Sequence, residues 1–210
     1  MKCTLEKEQW EDSQKNELAF WCTQRETGNT EQIGRNGWYR SHIFPVWFAQ
    51  HSFFNQMALD IGSGPRGILH TIKDASRCVA IDPLMDEFRE QGYSLDSDYV
   101  ESVQGSAESL PSIAYGADVV FSLNMLDHTQ DPAKCLEEMY RVLRFGGTLV
   151  LCADMRPTEL LDAYHKLQLT EEWLNSELKR IGFKSSSFLK PHQKGNPTVQ
   201  FCAIAIKGLP

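Results

Sequence analysis

The chain has 210 residues, 41% of them apolar and 23% charged, with a formal net charge of −7. These values exclude global disorder and a fibrous repeat, and leave an ordinary globular domain long enough for a real core. The acidic balance, with no basic stripe, argues against a large nucleic-acid surface. Six cysteines without a C-x-x-C pair read as buried thiols in a reducing compartment. The six histidines show no zinc-like spacing with cysteine or carboxylate, so no metal is expected. Residues Met1 to Glu8 lack the apolar core of a signal peptide and no stretch approaches a membrane span. A cytoplasmic location, with no membrane partner, is the expectation.

Residues 5–25 mix Glu, Lys and Gln with Leu5, Trp10, Leu18, Phe20, Trp21 and Cys22, a partly amphipathic pattern that predicts a helix ended by Gly28-Asn29-Thr30. Gly34 to Gly37 reads as loop, and Trp38 to His42 is an aromatic, basic cluster. Ile43 to Phe54 is densely aromatic, with Pro45 suited to a first helical turn. Residues 1–54 are therefore expected to form a helical extension covering one edge of the core, with the main domain over 55–210.

The run Met57 to Ile61 has the width of a buried strand and breaks at once into Gly62-Ser63-Gly64-Pro65-Arg66-Gly67. That is a strand ending in a ligand loop. Glycine at 62 and 64 permits positive φ and removes the Cβ that keeps a ligand off the main chain. A helix is expected over Gly67 to Lys73, its free N–H groups facing the ligand. The three glycines also satisfy G-x-G-x-x-G, so an NAD(P)-dependent oxidoreductase competes. Asp60 weighs against it, because a carboxylate two residues before the first glycine repels a pyrophosphate but attracts an ammonium group. That charge suits an amino-acid-bearing nucleoside such as S-adenosylmethionine.

Cys78 to Ile81 is the next strand, and Asp82 falls 20 positions after Gly62. A carboxylate at that strand tip can accept hydrogen bonds from both ribose hydroxyls, in either nucleotide. A helix over Leu84 to Glu90, ended by Gly92, and a short strand over Tyr99 to Val103 follow. Asp118 to Leu123 has the continuous apolar character of a central parallel strand. Asn124-Met125-Leu126-Asp127-His128 then lies at its carboxyl end, where open α/β sheets place ligands. His128 can serve there as a general base; alternatively Asp127 or His128 caps the next helix.

Asp131-Pro132 provides an N-cap and first residue for a helix over Ala133 to Leu143, ended by Gly146-Gly147. Thr148 to Ala153 is the next buried strand, and Arg156 follows in a loop, either contacting an anionic acceptor or standing exposed. Thr170 opens a helix that stops at Gly182. Residues 184–190 and 198–206 read as two strands, antiparallel because so close a pair leaves no room for a crossover.

Five blocks in order carry a resemblance: Asp60-x-Gly62-x-Gly64, Ala80-Ile81-Asp82-Pro83, Gly105 to Pro111, Asp118 to Ser122, and Arg141 to Gly147. Over roughly residues 55–153 the chain resembles the class I S-adenosylmethionine-dependent methyltransferases, small bacterial types included. The resemblance implies a doubly wound, mostly parallel seven-stranded α/β sheet with an antiparallel last strand. It implies S-adenosylmethionine as cofactor and S-adenosylhomocysteine as product. Asp60 would orient the methionine ammonium, and the backbone of Gly62, Ser63 and Gly64 would border the cofactor. Asp82, followed by Pro83, would hold the ribose. Ser106, Ala107 and Glu108 would flank the adenine, with Ser106 standing where the family often has Asp. Asn124 would lie near the methionyl end and His128 near the reacting atoms. The N-terminal segment would act as a lid, with Tyr39, Arg40 and His42 facing the pocket. The acceptor expected is a small molecule methylated on oxygen, or on nitrogen, such as a sugar or natural-product intermediate, by a monomer or homodimer. A catalytically silent cofactor-binding domain is the further alternative.

Overall fold

The structure is a computed structural model that describes residues 4–26, 36–95, 97–191 and 197–208. The helix stop expected at Gly28-Asn29-Thr30 and the turn between the last two strands at 192–196 lie outside the described residues. Seven strands form one sheet: β1 (Met57–Ile61), β2 (Arg77–Asp82), β3 (Val100–Gln104), β4 (Ala117–Leu123), β5 (Leu143–Met155), β6 (Phe183–Pro191) and β7 (Val199–Lys207). Their order is β3-β2-β1-β4-β5-β7-β6. The first five run parallel, and β7 pairs antiparallel with both β5 and β6, as the close spacing of the last two strands requires.

Alternation along the strands feeds two cores. Leu59, Ile61, Val79, Ile81 and Val120 point to one face, where α4 (Pro132–Val142) and α5 (Glu171–Ile181) bury Leu136, Met139, Leu174 and Leu178. Ala58, Cys78, Ala80, Val119 and Phe121 point to the other, under α1 (Lys7–Glu26), α2 (Pro45–Gln50) and α3 (Met85–Glu90). On that second face Trp47, Phe48 and Phe53 pack against Phe121, with ring centroids 5.9 to 6.2 Å apart. The aromatic density of 43–54 is thus core cover.

The caps read from sequence are present. Asp131 Oδ1 accepts from Lys134 N at 3.1 Å and Thr170 Oγ1 from Trp173 N at 3.2 Å. Gly182 ends α5 in the left-handed region at φ 107°. Two expectations fail. The stretch after the glycine loop is no α-helix but two short 3-10 turns, Gly64–Arg66 and Ile68–Thr71. The carbonyls of Arg66 and Gly67 accept from Asn36 Nδ2, both at 2.9 Å, and the Gly67 carbonyl also accepts from His70 N at 3.3 Å. Nor do Gly146-Gly147 end α4. The helix stops at Val142, β5 begins at Leu143, and the glycines sit in a bulge between the pairs Ala117–Leu143 and Val119–Thr148.

Candidate active site

The carboxyl ends of β1, β2 and β4 open onto one cavity of about 910 Å³, with the open solvent at its mouth included. Gly62 and Gly64 have φ of 67° and 59°, and a Cβ on Gly62 would stand 2.5 Å from Met125 Cβ. Both glycines are therefore required by the turn itself. Asp60 is buried and its Oδ2 accepts from Ile68 N at 2.8 Å, so the carboxylate ties the loop back onto β1. Asp82 Oδ2 accepts from Gly64 N and Oδ1 from Leu84 N, both at 2.9 Å. Burial pushes the Asp60 carboxyl up to about 7, against the pull of the Ile68 N–H. Burial likewise pushes Asp82 up to about 6, against the N–H groups of Leu84 and Gly64. Two acids without a cationic partner line the same wall.

Ser63, Pro83, Ala107, Glu108, Asn124 and His128 line the cavity as well. Ser106 does so indirectly: its hydroxyl donates to the Glu108 carboxylate and accepts from Glu108 N. Glu108 Oε1 in turn accepts from Gln130 N at 2.7 Å and Asp131 N at 3.2 Å, fastening the loop after β4. Asn124 holds a positive φ of 61°, and its amide, oriented by its surroundings, donates to the Asp154 carboxylate at 3.1 and 3.2 Å. His128 stands in a 3-10 turn (Leu126–His128) between two carboxylates, Asp127 Oδ2 at 3.8 Å from Nε2 and Glu17 Oε2 at 3.7 Å from Nδ1. Burial alone would lower its pKa; Asp127, Glu17 and Asp154 outweigh it and hold the imidazole above its usual value. Neither Asp127 nor His128 caps α4, a role that belongs to Asp131.

The N-terminal segment reaches the cavity through other residues than those expected. Tyr39 is buried in the core, the Arg40 guanidinium donates to Thr71 and lies over Phe48, and His42 is exposed. Trp10, Gln14, Glu17 and Trp21 of α1 line the wall instead, with Asn36 below them. Their spacing of four, three and four residues is one helical stripe, a signal present in the sequence. Arg156 is neither exposed nor free for an acceptor: it turns inward, 3.5 Å from Asp154 Oδ2 and 3.0 Å from His165 Nε2.

The family model described as a methyltransferase domain matches residues 59–151. A protein of Mycobacterium bovis named an uncharacterized methyltransferase is 30% identical over 112 residues, 52% of this chain and 44% of its own length. One of Mycolicibacterium smegmatis, named a probable S-adenosylmethionine-dependent methyltransferase, is 26% identical over 156 residues, 71% of this chain and 60% of its own. The chain spans about half the length of these curated relatives. The YcgJ protein of Bacillus subtilis superposes with a TM-score of 0.63 at 16% identity, over 81% of this chain and all of that one. Over residues 59–151 the chain is similar to methyltransferase domains, and its fold is that of the class I methyltransferases. The cofactor of that class is S-adenosylmethionine, and the cavity fits it on its own chemistry. A glycine cradle that a Cβ would fill stands beside Asp60 and Asp82, two buried acids suited to a cationic ligand.

Asp127, His128 and His165 place possible ligand atoms within 4.8 Å of one another. They do not suit a cation. His165 Nδ1 lies 2.9 Å from Asp162 Oδ1 and its Nε2 accepts from Arg156, so both nitrogens are engaged and a positive charge already stands there. Among the described residues no helix is long and apolar enough to cross a membrane.

Proposed function

We propose that the chain transfers a methyl group to an oxygen, or with lower preference a nitrogen, of a small-molecule acceptor held between α1 and the loop after β4. The observation that carries this reading is His128, set in the cavity wall with a carboxylate opposite each ring nitrogen. S-adenosylmethionine supplies, when bound, a methyl carbon made electrophilic by the sulfonium. In this reading Asp82 holds the ribose hydroxyls through lone pairs not used by Gly64 and Leu84. Asp60 faces the methionine ammonium, directly or through water, and the backbone of Gly62, Ser63 and Gly64 and the ring of Pro83 border the cofactor. Ser106, Ala107 and Glu108 flank the adenine, and Asn124, braced by Asp154, lies near the methionyl end. With the cofactor bound, His128 would take the proton that the acceptor hydroxyl or amine gives up as it is methylated. Positioning by the walls supplies much of the acceleration.

Among the described residues the lining includes Glu17, Asp60, Asp82 and Glu108 and no Lys or Arg, which favours an uncharged or amine-bearing acceptor over an acid or a nucleic acid. The indole of Trp10 beside Gln14 and Glu17 suits a polyhydroxylated ring such as a sugar or a natural-product intermediate. Residues 1–54 act here as a lid, and the protein works in the cytoplasm as a monomer or homodimer. The test is calorimetric titration with S-adenosylmethionine and S-adenosylhomocysteine, with NADH as control, followed by methyl transfer across hydroxyl and amine acceptors. Asp82→Ala is expected to weaken either sulfur nucleoside at least about tenfold, as loss of a charged hydrogen bond requires. Binding of NADH alone would restore the oxidoreductase alternative. Tight cofactor binding without turnover on any acceptor would favour the silent binding domain.

A further inference from the structure

Asp127 is a liability that the cofactor site does not explain. It is 1% exposed, lies outside the cavity lining, and neither carboxylate oxygen accepts a hydrogen bond from another residue. Leaving such a group buried and unpaired is destabilising. An adjacent Asp154 adds like charge, and is itself occupied by Asn124, Gln200 Nε2 at 3.0 Å and Arg156. The groups able to answer Asp127 with positive charge are the two imidazoles. His165 is held neutral: a guanidinium donates to Nε2, which needs the lone pair there, while burial and the neighbouring His128 lower its pKa. Its ring stands 4.6 Å from that of His128 and restrains it. His128 is the imidazole left to carry charge, and Nε2 faces Asp127 while Nδ1 faces Glu17, a wall residue of the cavity.

We infer that Asp127 is a positioning residue for His128, its buried carboxylate 3.8 Å from Nε2 holding the ring in place and stabilising the imidazolium once the ring takes a proton. Glu17 completes the bracket from α1, so the base is fully equipped only when that helix lies over the site. The inference rests on the reading of His128 as proton acceptor. It accounts for a carboxylate that packing alone would replace with a neutral side chain: its cost in the fold is offset when the imidazolium forms. The charged and titratable groups facing His128 are Glu17 from α1, Asp127 from its own turn, Asp154 and Arg156 from β5 and the residue after it, and His165 from the following loop.

The test is nuclear magnetic resonance titration of the histidine ring signals in full-length protein labelled on histidine, assigned with His128→Gln. Asp127→Asn keeps the shape and removes the charge. The His128 midpoint should fall by about one pH unit or more in Asp127→Asn. Glu17→Gln, on a different element, should also lower the midpoint, which keeps the test open should Asp127→Asn fold poorly. Thermal melting adds a signature that a structural role would not give: Asp127→Asn should be at least as stable as the parent. An unchanged midpoint in Asp127→Asn, with or without a lowered melting temperature, would overturn the inference. Calorimetry with S-adenosylmethionine on the same proteins separates the two levels. Asp127 does not line the cavity, so its affinity should stay at the parent value; loss of binding in the parent protein sinks the methyltransferase reading and leaves the titration result standing.

Discussion

A Cβ on Gly67 would stand 1.8 Å from Asp60 Oδ2, so the third glycine of the G-x-G-x-x-G spacing serves a carboxylate and not a pyrophosphate. The residue that distinguishes the two cofactor classes in the sequence also fixes the glycine they share. Gly67→Ala should push the carboxylate off Ile68 N and lower stability by about 1 to 3 kcal/mol, read by denaturant unfolding, with cofactor affinity falling alongside. A variant as stable as the parent would mean that the loop relaxes without loss. Asp60 and Asp82, pushed to about 7 and about 6, also make cofactor binding depend on pH. A cationic ligand favours their ionised forms, so affinity for S-adenosylmethionine should rise from about pH 5 to pH 8 and then level off. Calorimetry across that range checks it; a flat profile would show that neither carboxylate faces the cofactor.

Among the elements, α4 is fixed at both ends by side chains. Asp131 caps its start, and Lys207 reaches from the end of β7 to its last turn. The Lys207 ammonium, 8% exposed, donates to the carbonyls of Tyr140 and Leu143, both at 2.7 Å, and lies over the Tyr140 ring. It neutralises the negative end of the helix and lets β5 begin at once, without the glycine stop that the sequence pattern suggests. Lys207→Met keeps the apolar stem and orphans those carbonyls, and should cost about 1 to 3 kcal/mol in denaturant unfolding. Helix α1 is tied to the domain by polar contacts as well. Lys166 Nζ reaches Asp12 Oδ2 at 2.9 Å and Gln9 O at 3.0 Å, and Leu5 N donates to Gln130 O at 2.9 Å. Exposed contacts such as that of Asp12 contribute little individually, and the burial of Leu5 and Trp21 holds the segment as well.

Across the whole molecule the buried acids set an unusual pH response. The folded pKa values of Asp60 and Asp82 lie above the ordinary 3.8, so the folded state holds extra protons between about pH 4 and pH 7. Stability from these groups is therefore present at low pH and lost as pH rises through that window. Asp127, raised by burial, and His128, raised by its carboxylates over the opposing effect of burial, act in the same sense. Glu138, held down by Arg141, and Asp162, held down by the His165 and Tyr164 N–H groups and the His165 ring despite burial, act oppositely; their support fails below their ordinary values. Cofactor-free protein should melt highest near about pH 5 and lower at pH 8. A melting temperature that climbs steadily to pH 8 would show that the buried acids are ionised in the empty fold.

Much of this was legible in the chain, and the division follows range. Strand widths, the positive-φ glycines at 62 and 64, the caps Asp131 and Thr170 and the stop at Gly182 are set by neighbours within a few residues, so composition and period determine them. The antiparallel end of the sheet follows equally from the short connection between β6 and β7. What only the tertiary structure decided is who meets His128. Glu17, Asp127 and His165 come from a helix, a turn and a loop far apart in sequence, and the sheet order that places β4 between β1 and β5 draws those segments to one edge. The loop holding the two 3-10 turns belongs to the same class, because Asn36, about thirty residues upstream, donates to the carbonyls of Arg66 and Gly67 there. A local pattern records which face of an element is buried; it does not record which distant side chain arrives there.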